Sequence, residues 1–77
     1  MQNNINAIDS HIGKRARQRR VELEFSLEEV SLNSGISIAE LHRIEEGKAK
    51  VTAAQLFNLA NALHISPGSF FETQGLH

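Results

Sequence analysis

Apolar residues recur at helical spacing along this chain, and no segment alternates apolar and polar residues as a half-buried strand does. Ile12, Ala16 and Leu23 share one helix face, which predicts a first helix from about residue 9 to residue 23. A second set repeats with helical period and has Phe57 beside it: Leu56, Leu59, Ala60 and Leu63. These patterns predict an all-α fold in which both apolar faces are buried.

The starts of three more helices are predicted by capping boxes, in which a hydroxyl and a carboxyl or amide group three residues later each accept the other residue's backbone N–H. The pairs are Ser26 with Glu29, Ser37 with Glu40, and Thr52 with Gln55. Gly35 and Gly47 predict where the second and third helices end, because glycine adopts the left-handed conformation at little cost.

A final helical turn is predicted after Ser66, because Pro67 is well tolerated at the first position of a helix. Phe70 and Phe71 would hold this turn against the other helices. Since the predicted connections are short, the five helices should pack as a compact orthogonal cluster. We expect one five-helix domain over residues 9–72, with a flexible segment at 1–8 and a tail at 73–77.

Length and composition exclude several classes of protein. The chain has 77 residues, of which 40% are apolar and 22% charged, as in a folded globular domain, and it is too short for a deep substrate cavity. It has no cysteine, no apolar run of about 18 residues and no signal-peptide pattern. These features favour a cytoplasmic protein that does not enter the membrane.

The chain contains no constellation typical of catalysis or cofactor binding. There are no paired carboxylates in a plausible cleft, no glycine-rich phosphate loop and no nucleophile beside a base. The four histidines lack the spacing of metal ligands. We therefore expect no enzymatic activity, no cofactor, no metal site and no small-molecule substrate.

The segment that begins at Leu27 has the pattern of a helix-turn-helix unit. With Leu27 as position 1, positions 4, 10, 15 and 18 are apolar, position 5 is small and position 9 is glycine; these residues are Val30, Ile36, Leu41, Ile44, Ser31 and Gly35. The apolar positions wedge two helices onto the core, the small residue permits their close approach, and the glycine makes the turn.

The stretch from Ile12 to Glu72 resembles the Xre/Cro-type helix-turn-helix family, the lambda-repressor-like DNA-binding domains. Besides the positions above, the resemblance is carried by Ile12-Gly13-Lys14-Arg15-Ala16-Arg17 with Arg20, by Ile36-Ser37, by Arg43-Ile44-Glu45-Glu46-Gly47-Lys48, and by Leu56, Leu59-Ala60, Ala62-Leu63 and Ile65-Ser66. It implies a transcriptional regulator that binds double-stranded DNA, acts as a homodimer and inserts the third helix (about 37–46) into the major groove.

The resemblance also implies roles for particular residues. The positions that face base edges are Ile38, Ala39, His42 and Arg43, of which Arg43 could read guanine through two hydrogen bonds. The positions that contact phosphate are Arg17, Ser37, Lys48 and Lys50. A structural salt bridge is implied between Arg20 and Glu45. Candidates for the dimer surface are Phe71, Leu76 and the outer side of the fourth helix, although the phenylalanines could equally close the core.

Two features favour an alternative function. Seven glutamates lie between residues 22 and 46 against Arg43 alone, and the whole chain carries a net charge of −1, so phosphate would be repelled from part of this surface. Leu27 also stands where the family often has a phosphate-binding glutamine. The alternative is a helix-turn-helix module that binds protein, as a regulator's partner or an antitoxin-like subunit, with weak or no DNA binding.

Overall fold

A computed structural model of the chain describes residues 7–71. Within this range four α-helices follow one another and a 3-10 helix ends the chain: α1 (Ala7–Glu22), α2 (Leu27–Ser34), α3 (Ile38–Glu45), α4 (Ala53–Ala62) and the 3-10 helix Pro67–Phe71. No strand occurs in the described range, which confirms the all-α prediction. The predicted tail at 73–77 and most of the predicted segment at 1–8 lie outside it.

The fifth element differs from the prediction of five α-helices. It spans only five residues, and its turn is closed by a 3.0 Å hydrogen bond from the Ser69 N–H to the Ser66 carbonyl, the i to i+3 spacing of a 3-10 helix. Phe70 is fully buried, whereas Phe71 is 51% exposed. Of the two phenylalanines expected to hold this turn, only Phe70 packs into the core.

The first helix begins at Ala7, two residues before the predicted start, so Ala7 and Ile8 are helical. Asp9 therefore lies inside the helix and does not cap it. Its buried carboxylate accepts the backbone N–H of Val51 over 3.0 Å, which ties the start of α1 to the segment before α4. Sequence reasoning missed this contact because it joins positions 42 residues apart.

Two of the three predicted capping boxes are complete. In the pairs Ser26 with Glu29 and Thr52 with Gln55, both reciprocal hydrogen bonds form at 2.7–3.1 Å. In the third, Ser37 Oγ accepts the Glu40 N–H at 3.1 Å, but the Glu40 carboxylate lies 3.8 Å from Arg43 Nε and not against the Ser37 backbone. The third box is therefore only half formed, because Arg43 attracts the carboxylate.

The turn between α2 and α3 is held by glycine and two serines. Gly35 takes a left-handed conformation with a φ of 76°, as predicted. Ser31 Oγ donates to the Ile36 carbonyl, and Ser34 Oγ accepts the Ile36 N–H over 3.1 Å. These side chains satisfy the backbone polar groups of the turn, so the relative direction of α2 and α3 is fixed.

The core brings apolar residues from every helix into one cluster, in which α1 packs on α3 and α2 packs on α3 and α4. Leu41 and Ile44 from α3 are completely buried. Where α1 and α3 cross, the α-carbon of Gly13 faces the backbone of Ile44, and a Cβ atom at this position would overlap the Ile44 carbonyl oxygen. Glycine at position 13 is therefore needed for the close approach of the two helices.

The replacement Gly13→Ala should destabilise the protein by about 1–3 kcal/mol or more, because the added methyl group can be placed only if α1 and α3 move apart. Gly68→Ala is the matched control, since nothing lies within 4 Å of a Cβ atom built at Gly68 and its φ is not positive. Urea unfolding followed by far-ultraviolet circular dichroism gives both values. Equal free energies of unfolding for the two variants would contradict the close crossing of α1 and α3.

Candidate nucleic-acid interface

The third helix has one buried and one exposed face. Leu41 and Ile44 hold it in the core, while the four predicted base-facing residues are all exposed: Ile38, Ala39, His42 and Arg43. Their spacing places them along a single side of the helix. The fold thus presents these side chains together on a helix that is rigidly packed from behind.

The orientation of α3 is fixed by an ion pair with α1. Arg20 donates from Nε to Glu45 Oε2 over 2.7 Å and from Nη2 to Glu45 Oε1 over 3.0 Å, so the contact is bidentate. A third bond of 2.9 Å runs from Arg20 Nη1 to the Phe25 carbonyl. The side chain of Arg20 is 17% exposed and that of Glu45 is 6% exposed. This is the pair that the resemblance implied.

The environment of this pair acts on the pKa of Arg20. The hydrogen bond to Glu45 raises the pKa of Arg20 above its ordinary value, and burial opposes that rise. Because the folded-state pKa is raised, the stabilisation is fully present below the pKa of arginine in the unfolded chain and is lost only as the pH rises through the folded-state value. The pair therefore holds α3 in place at neutral pH.

The predicted phosphate contacts lie around this helix. Arg17, Ser37, Lys48 and Lys50 are all exposed. Arg17 and His42 line the same cleft of about 340 Å³, which lies between α1, α3 and Leu27 at the start of α2. The structure thus brings one predicted phosphate contact and one predicted base contact to the two sides of a single groove.

Carboxylates in and just after α3 lie close to three of the predicted contact residues, His42, Arg43 and Lys48. Glu46 Oε2 lies 3.4 Å from His42 Nε2, and Glu46 Oε1 lies 3.6 Å from Lys48 Nζ. Arg43 lies near Glu40, as described above, and its Nη2 donates to the Lys48 carbonyl over 2.9 Å. Sequence reasoning did not predict these contacts, although the i to i+3 spacing of Glu40 and Arg43 and the i to i+4 spacing of His42 and Glu46 could have indicated two of them.

Arg19, part of the basic run in α1, has a structural role. Its Nε donates to the Leu63 carbonyl over 2.9 Å and its Nη2 to the His64 carbonyl over 3.4 Å. These carbonyls lie at the end of α4, where backbone acceptors lack helical partners. Arg19 therefore caps α4, a contact that sequence reasoning missed because it joins positions 44 residues apart.

Two features are absent from residues 7–71. No helix there is long and apolar enough to cross a membrane. No group of three or more histidine, aspartate or glutamate side chains in that range could hold a metal ion.

Comparison with known protein families and curated sequences gives consistent matches. A family model described as helix-turn-helix matches residues 17–70. A transcriptional regulator from the ATPase CF(0) region of Rhodospirillum rubrum is 33% identical over 67 residues, which are 87% of this chain and 62% of that protein. A helix-turn-helix-type transcriptional regulator of Sinorhizobium medicae is 36% identical over 87% of this chain and 48% of its own length. The chain thus spans about half to three fifths of these relatives.

Solved structures share the fold. The restriction-modification controller protein C.AhdI of Aeromonas hydrophila is 29% identical with a TM-score of 0.80, and the match covers 86% of this chain and 100% of that one. An HTH_3 family transcriptional regulator of Vibrio cholerae is 31% identical with a TM-score of 0.78, over 83% of this chain and 36% of its own. The matched part of each protein has the same arrangement of helices as this chain.

Removing one partner of the buried ion pair should cost more stability than removing both. Arg20→Met leaves the Glu45 carboxylate buried without its cation and should destabilise the protein by about 3 kcal/mol. The double variant Arg20→Met/Glu45→Leu removes that unpaired charge and should recover at least half of the loss. Urea unfolding of the native chain and both variants gives the free energies. If the double variant is less stable than Arg20→Met, the unpaired charge of Glu45 is not the cause of the lost stability.

Proposed function

The chain belongs to the helix-turn-helix family of Xre/Cro type, and on that premise we propose that it is a sequence-specific DNA-binding transcriptional regulator that places α3 in the major groove. The observation that carries this proposal is the exposed side of α3. Its four predicted base-facing side chains lie on one side of the helix, while the opposite side is held by core packing and by the pair of Arg20 and Glu45. The role is one of binding and not catalysis. Since the relatives are bacterial proteins, we propose that it acts in the cytoplasm, where the bacterial chromosome lies.

The base-facing residues divide into polar and apolar readers. Arg43 can donate two hydrogen bonds to the O6 and N7 atoms of guanine, a contact worth about 1–3 kcal/mol against the wrong base. His42 can form one hydrogen bond with a base edge. Ile38 and Ala39 have no polar side-chain atoms, so they fit thymine methyl groups.

The phosphate contacts flank these readers. Arg17, Lys48 and Lys50 supply positive charge on either side of α3, and the Ser37 hydroxyl can donate to a phosphate oxygen while it accepts the Glu40 N–H. Such contacts fix the position of the protein on the duplex and carry no sequence information. They also make binding sensitive to salt.

A homodimer fits this function, because a single short helix reads few base pairs, whereas two copies related by a two-fold axis read half-sites about 34 Å apart. Phe57 on the outer side of α4 is 59% exposed, and Phe71 is about half exposed. We propose that these two side chains belong to the dimer surface. Leu76, the other candidate, lies outside the described residues.

Binding to a fluorescently labelled random-sequence duplex at low salt tests DNA binding before any operator is known. Anisotropy should rise with protein concentration, and Arg17→Ala should weaken binding and lower the slope of log K against log salt by about one, since one phosphate contact is lost. Arg43→Ala should also weaken binding. Arg15→Ala removes the same charge from the face of α1 that carries Arg19, so it is the matched control and should change the affinity less than either variant.

A different outcome would favour the second candidate function. Leu32 on α2 is 85% exposed, and the first turn of the same helix carries Glu28 and Glu29, an arrangement that suits contact with another protein. If the native chain does not bind the duplex even at low salt, DNA binding is contradicted and the protein-interaction module becomes the account of this surface.

The dimer surface is tested by charge substitution at an exposed apolar position. Phe57→Glu should convert the dimer to a monomer in sedimentation equilibrium, because a carboxylate cannot be buried against its own copy without a partner. Leu32→Glu is the control, since it introduces the same charge at an exposed apolar position on α2 and should leave the dimer intact. A native chain that is monomeric at all concentrations, or a dimer unaffected by Phe57→Glu, would contradict this surface.

A further inference from the structure

One carboxylate holds two of the side chains that are proposed to contact DNA. The two oxygens of Glu46 point to different side chains, one to His42 on the outer side of α3 and the other to Lys48 beyond its end. Glu46 also lines the cleft that Arg17 and His42 border. The side chains of His42, Glu46 and Lys48 are at least two fifths exposed, and they lie beside the residues that are proposed to contact DNA.

We propose that Glu46 is an affinity-limiting residue, which competes with DNA phosphate for Lys48 and so weakens sequence-independent binding. This inference rests on the proposed function. In the free protein the carboxylate occupies the ammonium group that a phosphate would need, and a phosphate that approaches must displace it.

A purely structural role does not account for these contacts. Ion pairs between exposed side chains contribute little to the stability of a fold. The orientation of α3 is already fixed by the buried pair of Arg20 and Glu45, and the end of α3 is closed by backbone hydrogen bonds from Glu46 to His42 and from Lys48 to Arg43. The side chain of Glu46 therefore acts mainly on whatever approaches this surface.

The consequence concerns how much of the affinity for DNA comes from phosphate alone. A random duplex offers the same phosphates as a true operator, and binding to it draws the protein away from its site. A residue that withholds Lys48 from phosphate lowers this background. The base contacts proposed for Arg43 must then supply a larger part of the total affinity.

The test is Glu46→Gln, which removes the charge and keeps the size of the side chain. Binding to a random duplex should become about threefold to tenfold tighter, and the slope of log K against log salt should steepen by about one, because Lys48 then neutralises a phosphate. Glu24→Gln is the matched control. Glu24 is exposed and carries the same charge, and no ion pair is found for it among residues 7–71, so this variant should change the affinity less than about twofold.

A double-mutant cycle identifies the cation involved. When Lys48 is already replaced by Gln, Glu46→Gln should increase the affinity for the random duplex by less than about twofold, since the competition for Lys48 no longer exists. The free energy of unfolding, measured in urea, should be similar for the native chain and Glu46→Gln.

The outcomes separate this inference from the proposed function. If Glu24→Gln and Glu46→Gln increase the affinity for the duplex equally, the net charge of the protein explains the effect, and the proposed role of Glu46 is overturned. A gain that persists in the Lys48→Gln background would overturn the competition for Lys48. Absence of binding by the native chain and by every variant would instead overturn the proposed function, and this inference with it.

Discussion

The crossing of α1 and α3 is the constraint on which the rest of the structure depends. A helix of only eight residues is not stable alone, because nucleation costs more than so few hydrogen bonds return. Packing of Leu41 and Ile44 and the close approach at Gly13 compensate for that cost. The bidentate pair of Arg20 and Glu45 then fixes the direction of α3 relative to α1. The exposed side of α3 has a defined position only because these contacts lie behind it.

The acidic composition of the middle of the chain has a structural explanation. Five of the seven glutamates between residues 22 and 46 are engaged in contacts within the protein: Glu22 with Arg19, Glu29 with the Ser26 N–H, Glu40 with Arg43, Glu45 with Arg20, and Glu46 with His42 and Lys48. A net charge counted along the sequence therefore overstates the repulsion that a phosphate backbone would meet. The acidic residues that bear on the proposed contact with DNA are Glu40, whose side chain is 35% exposed, and Glu46, whose side chain is 43% exposed.

Sequence reasoning succeeded where the determinants are local. The caps at Ser26 and Thr52, the left-handed turn at Gly35 and the apolar faces of the helices are set by residues within a few positions of one another. It failed where the determinant is a distant contact. Three contacts join segments that are far apart in the chain: the hydrogen bond of Asp9 with Val51, the capping of α4 by Arg19 and the close packing at Gly13. No local sequence pattern predicts them.

The candidate site shows the same division. The spacing of the residues on α3 determined which side chains share its outer face, and the structure leaves all four exposed. Their partners were not predictable with the same certainty, because the choice of Glu40 between the Ser37 backbone and the Arg43 guanidinium depends on a balance of weak surface interactions. Surface chemistry of this kind has to be read from the folded molecule.

We propose that the outer side of α3 is the surface that meets DNA. The most direct test is to titrate the ¹⁵N-labelled full chain with an unlabelled random duplex at low salt and to follow the amide chemical shifts. If α3 contacts the duplex in this way, the largest changes occur from Ser37 to Arg43, with further changes near Arg17 and Lys48. Changes confined to residues around Leu32 and Phe57, with α3 unaffected, would contradict it.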